Sequence, residues 1–482
     1  MRKPEDVRFE LKTNQNLSRR NLAKAYEYHQ VCETTVEKRK SLGDRLKYRV
    51  KQVLRKCIWW YTEPYWIQQR EYNKALADSV QDYDRIHSLL MEENDSLRVT
   101  IQQLCVQIAE LNEKLEIRSV FSGDCGRGRV IQVVSSLNFG DAVGNDALAI
   151  KQMLEEEGYA TAIFALAIHP KIIQKNVYRM ELMPELTEKD IIIYHYAAAD
   201  ELQSFFESTP ARVVLRYHNI TPPAFYHDYD AKAEKVTREG LQQIRQIRGR
   251  IDYGLTVSEY NKQDLVEMGY DCPISIAPIL IPFEDYKQKP NEKVIEKYSD
   301  GITNIVFVGR IVPNKKLEDV IACFAAYKKT YDTAARLFLV GNYQETDRYY
   351  QYLKAYIKEK RVDDVIFSGH IAFDEILAYY KIADVFMCMS EHEGFCVPLV
   401  EAMFFEVPIV AYSSTAIPGT LGGSGALVET KEPQAVAAII SRIQKDAEYR
   451  KQLLEGQEKR LEDFAYAKIK AQILENIVGL LK

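Results

Sequence analysis

No run of apolar residues in the 482-residue sequence approaches the roughly 20 that a membrane-spanning helix needs. The first residues are polar and charged, so a secretory signal is not expected. The eight cysteines, Cys32, Cys57, Cys105, Cys125, Cys272, Cys323, Cys388 and Cys396, include no C-x-x-C pair and no Cys/His cluster with zinc spacing. That excludes a zinc-finger scaffold and favours a reducing compartment over a disulfide framework. Glycine is nearly missing up to position 118, where Gly43 stands alone and Pro4 and Pro64 are the only prolines. A net charge of -5 excludes a surface built throughout for nucleic acid, and no nucleic-acid partner is expected. The balance of 46% hydrophobic and 28% charged residues is that of an ordinary globular protein, long enough for two or three domains.

The glycine-poor segment reads as helix: a helical region at 1–80 carrying a basic amphipathic stretch, then a coiled coil at 81–118. A glycine-rich hinge follows at 122–128. Beyond it, short apolar runs alternate with helical stretches, the pattern of βαβ units. The runs at 130–134, 161–165, 191–194, 213–216 and 254–257 assign strands to a domain at 128–295. Those at 305–308, 336–340, 365–367, 385–388 and 409–411 assign strands to a second domain at 300–482, closed by an amphipathic helix from Tyr466. The expected fold class is α/β, with two doubly wound parallel sheets behind an all-α extension. Ligands in such sheets bind at the carboxyl ends of the strands.

The densest chemistry is Ser390-Glu-His-Glu-Gly-Phe-Cys-Val-Pro-Leu-Val-Glu401. It follows a strand and opens a helix at Pro398, a residue suited to a first helical turn. Glu393 falls in the loop, Glu401 about one turn into the helix, and the amides from Gly394 to Val397 form a helix N-terminus suited to an anion. In Val308-Gly-Arg310-Ile-Val-Pro-Asn-Lys315, a strand end is followed by two cations able to converge on a diphosphate, Arg310 as a planar fork and Lys315 as a point charge. In the first half, Ser136-Leu-Asn-Phe-Gly140-Asp-Ala-Val-Gly144 is a glycine loop without dinucleotide-fingerprint spacing. His195 and His218 each lie at a strand end, and Thr256-Val-Ser258 marks a strand-to-helix turn. Asp82-Tyr-Asp84 and Asp228-Tyr-Asp230 mimic a metal-binding D-x-D and are read as solvated acids.

The run from Phe307 to Lys315, then Glu393-x7-Glu401, then Glu406-Val-Pro-Ile-Val-Ala411 together resemble glycosyltransferase family 4, from about position 130 to the C-terminus. The resemblance implies the GT-B fold of two facing Rossmann-like domains. It implies that Arg310 and Lys315 bind a donor diphosphate and that Glu401 binds ribose hydroxyls. It also implies that Glu393 contacts the donor sugar beside the amides of Gly394, Phe395 and Cys396. Gly140, Asp141 and Gly144 would face the phosphates and acceptor, and His218 the donor sugar. Glu393, His218, Arg310 and Lys315 form the catalytic set of a retaining transfer of a hexose or deoxyhexose from a nucleotide-sugar, without bound metal or other cofactor. Cys396 and Glu406 depart from the pattern, since the family usually has glycine at both positions. The acceptor expected is a glycan or lipid-linked glycan, in cell-surface polysaccharide synthesis. Two alternatives are an epimerase or hydrolase of the same fold and an inactive membrane-associated scaffold.

Six basic and no acidic residues lie between Arg45 and Lys56, with Leu46, Val50, Val53, Leu54, Cys57 and Ile58 at helical spacing. Trp59, Trp60, Tyr61, Tyr65 and Trp66 follow and include all three tryptophans, so 45–66 suits an anionic membrane surface. The heptad run at 90–115 has Leu90, Leu97, Leu104 and Leu111 at d and Asn94, Ile101, Ile108 and Leu115 at a. Ile-rich a positions with Leu at d and one Asn favour a parallel dimer. The expected location is cytoplasmic, peripheral on the cytoplasmic face of a membrane.

Overall fold

A computed structural model describes residues 42–122, 128–138 and 140–481. The helix expected before residue 42 and most of the hinge, 123–127, lie outside the described residues. The chain divides into two compact units that meet between Leu111 and Asn112.

The described part of the first unit is a single helix that continues into the second, Leu42–Ser122, 81 residues long. At about 1.5 Å per residue it extends ~120 Å, and it runs unbroken through the boundary expected at residue 80. Pro64 lies inside it, where it removes one backbone donor. The apolar residues of the basic segment and of the heptad run are exposed: Trp60 is 79% exposed, Leu97 56% and Leu104 51%. No helix among the described residues is long and apolar enough to cross a membrane.

The second unit holds two parallel sheets. The first comprises β1 (Arg129–Leu137), β2 (Ala160–Ile168), β3 (Val177–Arg179), β4 (Ile191–Tyr196), β5 (Arg212–Tyr217), β6 (Tyr253–Thr256) and β7 (Ile274–Ile276). Its order is β3-β2-β1-β4-β5-β6-β7, every pair parallel. The second comprises β8 (Asn304–Val308), β9 (Arg336–Val340), β10 (Val365–Phe367), β11 (Val385–Cys388), β12 (Ile409–Tyr412) and β13 (Ala426–Val428), in the order β10-β9-β8-β11-β12-β13. Their central strands are buried on both faces, as parallel sheets covered by helices require. In each sheet the order reverses once, between β1 and β4 and between β8 and β11, and a crevice opens outside the strand ends there. The Gly140–Gly144 loop follows β1 and His195 lies on β4, beside the first of these places; Arg310 follows β8 and the Glu393 loop follows β11, beside the second.

One domain boundary is corrected. The last helix, Tyr466–Leu481, does not close the domain that precedes it in the chain. Ile469, Ile473 and Ile477 pack with Val130, Ile150 and Met153 of the first domain. The Tyr466 hydroxyl donates to Glu156, and Tyr253 donates to Asn476. The helix is amphipathic, and the apolar surface left open to receive its stripe belongs to the first sheet's layer.

Candidate functional site

At the end of β8 the backbone turns through Gly309, at φ +151°, with its amide donating to the Val340 carbonyl. A Cβ on Gly341, past β9, would lie 1.8 Å from the Gly309 carbonyl oxygen, so both strand ends need glycine for this approach. Arg310 emerges there, exposed, at a cavity of about 590 Å³. This cavity lies between the two domains, lined by Arg310, Val312, Arg348 and Tyr349 from one side and Tyr226 and Tyr229 from the other. Asp141, preceding the helix Ala142–Glu156, is held above the ordinary carboxylate range by burial, opposed by the charge of Arg310 across the cleft. Gly140 adopts φ +76°, and a Cβ on Gly144 would lie 2.9 Å from the Asn138 carbonyl oxygen.

Lys315 and Glu393 are brought together. The ammonium lies 2.6 Å from Glu393 Oε1, the two side chains 18% and 8% exposed. Burial pulls the Lys315 ammonium down, but the Glu393 carboxylate more than offsets that, and the lysine stays charged above its usual range. The Glu393 backbone is fixed as well, its amide donating to Thr415 Oγ1 at 2.9 Å. The helix Val397–Phe404 starts immediately after, with Cys396 at φ +73°. Glu406, the second departure from the expected glycine pattern, sits at φ +56°. Both non-glycine residues therefore occupy the left-handed conformation that glycine adopts without a Cβ penalty.

Glu401 is partly buried, and each carboxylate oxygen accepts a tyrosine hydroxyl, from Tyr286 at 2.8 Å and Tyr380 at 2.7 Å. Burial pushes its carboxyl above the usual range, and the two hydroxyls counter that in part. Neither tyrosine was singled out in the sequence, because nothing in local spacing ties positions 286 and 380 to 401.

His218 lies just past β5 with its side chain 4% exposed. Its backbone meets the Glu393 loop: a Cβ on Gly394 would fall 2.4 Å from the His218 carbonyl oxygen and 2.8 Å from Asn219 Cβ. Asn219, at φ +80°, accepts from His392 Nε2 at 2.6 Å through Oδ1 and donates through Nδ2 to Asn261 Oδ1 at 3.0 Å. Carboxamide oxygen only accepts, so His392 Nε2 carries the proton of this bond. Burial pulls His392 down to about 4, so it is neutral at physiological pH. Asn314 Nδ2 supports the His392 carbonyl at 2.9 Å. This seam of Asn219, His392 and Asn314 escaped sequence reading, for its members come from three separate loops.

Asp230 caps the helix Ala231–Gln246 and accepts from the Ala233 amide at 2.9 Å, a structural task. Ser258 caps Glu259–Glu267 in the same way. Among the described residues two groups have metal-ligand spacing, Asp146 with His195 and His218, and Cys388 with Glu393 and Cys396. Each contains a carboxylate already paired, Asp146 with Arg216 at 2.8 Å and Glu393 with Lys315 at 2.6 Å.

Residues 288–460 match the family model described as Glycosyl transferases group 1, a span that takes in the second sheet and the Arg310, Lys315, Glu393 and Glu401 positions. The chain is 25% identical over 249 residues to the O-antigen chain mannosyltransferase B of Escherichia coli, covering 49% of this chain and 62% of that protein. It is 26% identical over 203 residues to the capsular polysaccharide biosynthesis glycosyltransferase CapM of Staphylococcus aureus, covering 41% of this chain and 52% of that one. The match thus spans less than two thirds of these relatives' length. Among solved structures, sucrose-phosphate synthase from Thermosynechococcus elongatus superposes with a TM-score of 0.58 at 17% identity, over 73% of this chain and 99% of that one. Anabaena HepE in complex with UDP-glucose gives 0.58 at 17% identity, over 73% and 100%. Both share the two-domain GT-B arrangement with this chain.

Proposed function

We propose that this protein is a retaining glycosyltransferase that moves a hexose or deoxyhexose from a nucleotide-sugar to a glycan acceptor, without a bound metal or other cofactor. The observation that carries the reading is the largely buried Lys315–Glu393 pair just before the helix Val397–Phe404, at the crevice where the strand order reverses between β8 and β11. A cation, a carboxylate and helix N-terminal amides at one strand-order reversal suit a sugar diphosphate. Lys315 and Arg310 offset the charge that grows on the departing phosphate, and Glu393 meets the sugar. The bond from the anomeric carbon to the phosphate oxygen breaks with its electron pair leaving on phosphate. The acceptor oxygen bonds to the anomeric carbon on the same face, and its proton passes to the departing phosphate.

Because the relatives include proteins named as mannosyltransferases, GDP-mannose is the first donor to try, followed by UDP- and dTDP-sugars. Purified full-length protein is expected to give acceptor-dependent product with the donor's anomeric configuration, unchanged by EDTA, and Glu393→Gln is expected to abolish it. An inverted anomer would sink the retaining assignment. Free sugar or an epimer formed without acceptor would move the chain to the hydrolase or epimerase class.

The exposed basic and aromatic surface of 45–66 supports peripheral binding to the anionic cytoplasmic face of a membrane, near a lipid-linked acceptor for cell-surface polysaccharide synthesis. The exposed leucines and isoleucines of 90–115 support a parallel dimer. Vesicle co-sedimentation of the Trp59, Trp60, Trp66→Ala variant, and sedimentation velocity of Leu97→Asp with Leu104→Asp, test the two separately. Unchanged vesicle binding would remove the first assignment, and an unchanged mass the second.

A further inference from the structure

Behind the cleft runs a row of buried polar side chains on three strands of the first sheet. Gln132 on β1 has its Oε1 2.8 Å from His195 Nε2 on β4, and His195 Nδ1 lies 3.1 Å from His218 Nε2 just past β5. The two imidazoles stack at 5.4 Å with 20° between their planes. A carboxamide oxygen only accepts, so His195 carries its proton on Nε2. A neutral His195 then has a bare Nδ1, which accepts from a proton on His218 Nε2.

Asp146 biases the row in the same direction without fixing it. Its carboxylate is held ionised by Arg216, at 2.8 Å, and lies 3.7 Å from His218 Nε2. Reversing the row, by turning the Gln132 amide, would aim a nitrogen lone pair of His218 at that negative charge. Burial keeps both rings neutral: His218 is pulled down to about 4, and His195 well below the ordinary histidine range. The remaining nitrogen, His218 Nδ1, is buried and has no hydrogen-bond partner. The backbone of the same residue rests on Gly394, one residue from Glu393.

We propose that Gln132 and His195 form a positioning relay that locks His218 in its Nε2–H tautomer, so that its bare Nδ1 accepts a hydroxyl of the bound sugar. The identity of the ligand rests on the glycosyltransferase reading; the tautomer does not. His195 touches no substrate in this scheme. It decides whether the unpartnered nitrogen of His218 is an acceptor for a sugar hydroxyl or a competing donor.

The test uses full-length protein labelled with 15N-histidine, read at neutral pH by imidazole 15N–1H correlation. The wild type is expected to show His218 protonated at Nε2 and bare at Nδ1. His195→Leu removes the acceptor, and the Nδ1–H form of His218 becomes populated while KM for the donor rises about five- to tenfold with kcat less affected. His195→Gln restores both, since its amide can accept from His218 and donate to Gln132. Should His195→Leu fail to fold, Gln132→Met removes the acceptor at the far end of the row and is expected to mix the tautomers of both rings. A wild-type His218 protonated at Nδ1, or a tautomer and KM indifferent to both substitutions, would overturn the relay. If no nucleotide-sugar is turned over, the resonances still decide the tautomer, so the two readings fail separately.

Discussion

Gly394→Ala adds one methyl group where the two domains meet. The new Cβ would lie 2.4 Å from the His218 carbonyl oxygen and 2.8 Å from Asn219 Cβ, against about 3.4 Å for ordinary contact. Relief requires the seam to open by about 1 Å. Neither obstacle can swing aside, because one is backbone and the other belongs to a residue held by His392 and Asn261. Overpacking of this kind costs about 1–3 kcal/mol, roughly a 5- to 150-fold change in an equilibrium. The cost falls on the contact between domains and leaves both sheets' cores untouched. The variant is therefore expected to lose about 10- to 100-fold in kcat/KM while its melting temperature falls by no more than a few degrees. Gly249→Ala is the matched control, for a Cβ there meets nothing within 4 Å. Initial-rate kinetics of both variants beside thermal melts make the comparison. A Gly394→Ala enzyme within twofold of wild type would refute the close approach.

The buried Asp146–Arg216 pair gives a stability prediction. Burial raises the Asp146 carboxyl, but Arg216 and then His218 outweigh it and hold the group below its ordinary value. Its contribution is present at neutral pH and lost as pH falls below about 4. Asp146→Asn leaves Arg216 charged and uncompensated, for an expected loss of about 3–5 kcal/mol in urea unfolding at neutral pH that narrows in acid; a loss under about 1 kcal/mol would contradict it. Glu401 shifts the opposite way, so its ionisation erodes stability as pH rises. Glu401→Gln is expected to gain in melting temperature relative to wild type as pH rises above 4.5 while losing affinity for the nucleotide, and a pH-independent difference would count against the buried charge. Exposed Glu406 at φ +56° tests the second departure from glycine. Glu406→Gly exchanges a left-handed penalty of about 1–2 kcal/mol for about 0.5–1 kcal/mol of unfolded-chain entropy, so a neutral to slightly stabilised protein is expected by thermal melt, and clear destabilisation would refute the strain.

The parts of this fold legible in the sequence are those set by local pattern. Central strands such as Ile191–Tyr196 and Asn304–Val308 announce themselves as apolar runs, because both faces are buried. Of the three-residue strands, Val365–Phe367 is expected from its apolar run, whereas Val177–Arg179, Ile274–Ile276 and Ala426–Val428 are not. The Lys315–Glu393 pair illustrates the middle ground. Both residues were singled out for separate tasks on one ligand, and their mutual contact at 2.6 Å follows from strand order, which spacing does not encode. The final helix shows the same limit, since an amphipathic stripe specifies that it must be covered and not by which domain.

Glycine carries two different meanings here, and the sequence shows only one of them. Gly140 is required by its own φ of +76°, a local condition readable from a loop pattern. Gly341 and Gly394 have no such backbone demand. They are required by what approaches them, the Gly309 carbonyl in one case and the His218–Asn219 backbone in the other. Conversely, Cys396 and Glu406 meet a backbone condition that favours glycine and are not glycine. Cys396 is buried against the apolar layer that includes Phe395 and Leu399, and that packing offsets its conformational cost. Glu406 is exposed and has no comparable compensation. A glycine pattern in this chain therefore has to be read against two separate quantities, the dihedral at the residue and the distance to its nearest non-local neighbour. Among the described glycines, only at Gly394 does the second quantity join the domain that holds Glu393 to the domain that holds His218, which is why that single methyl is expected to act on the reaction rather than on the fold.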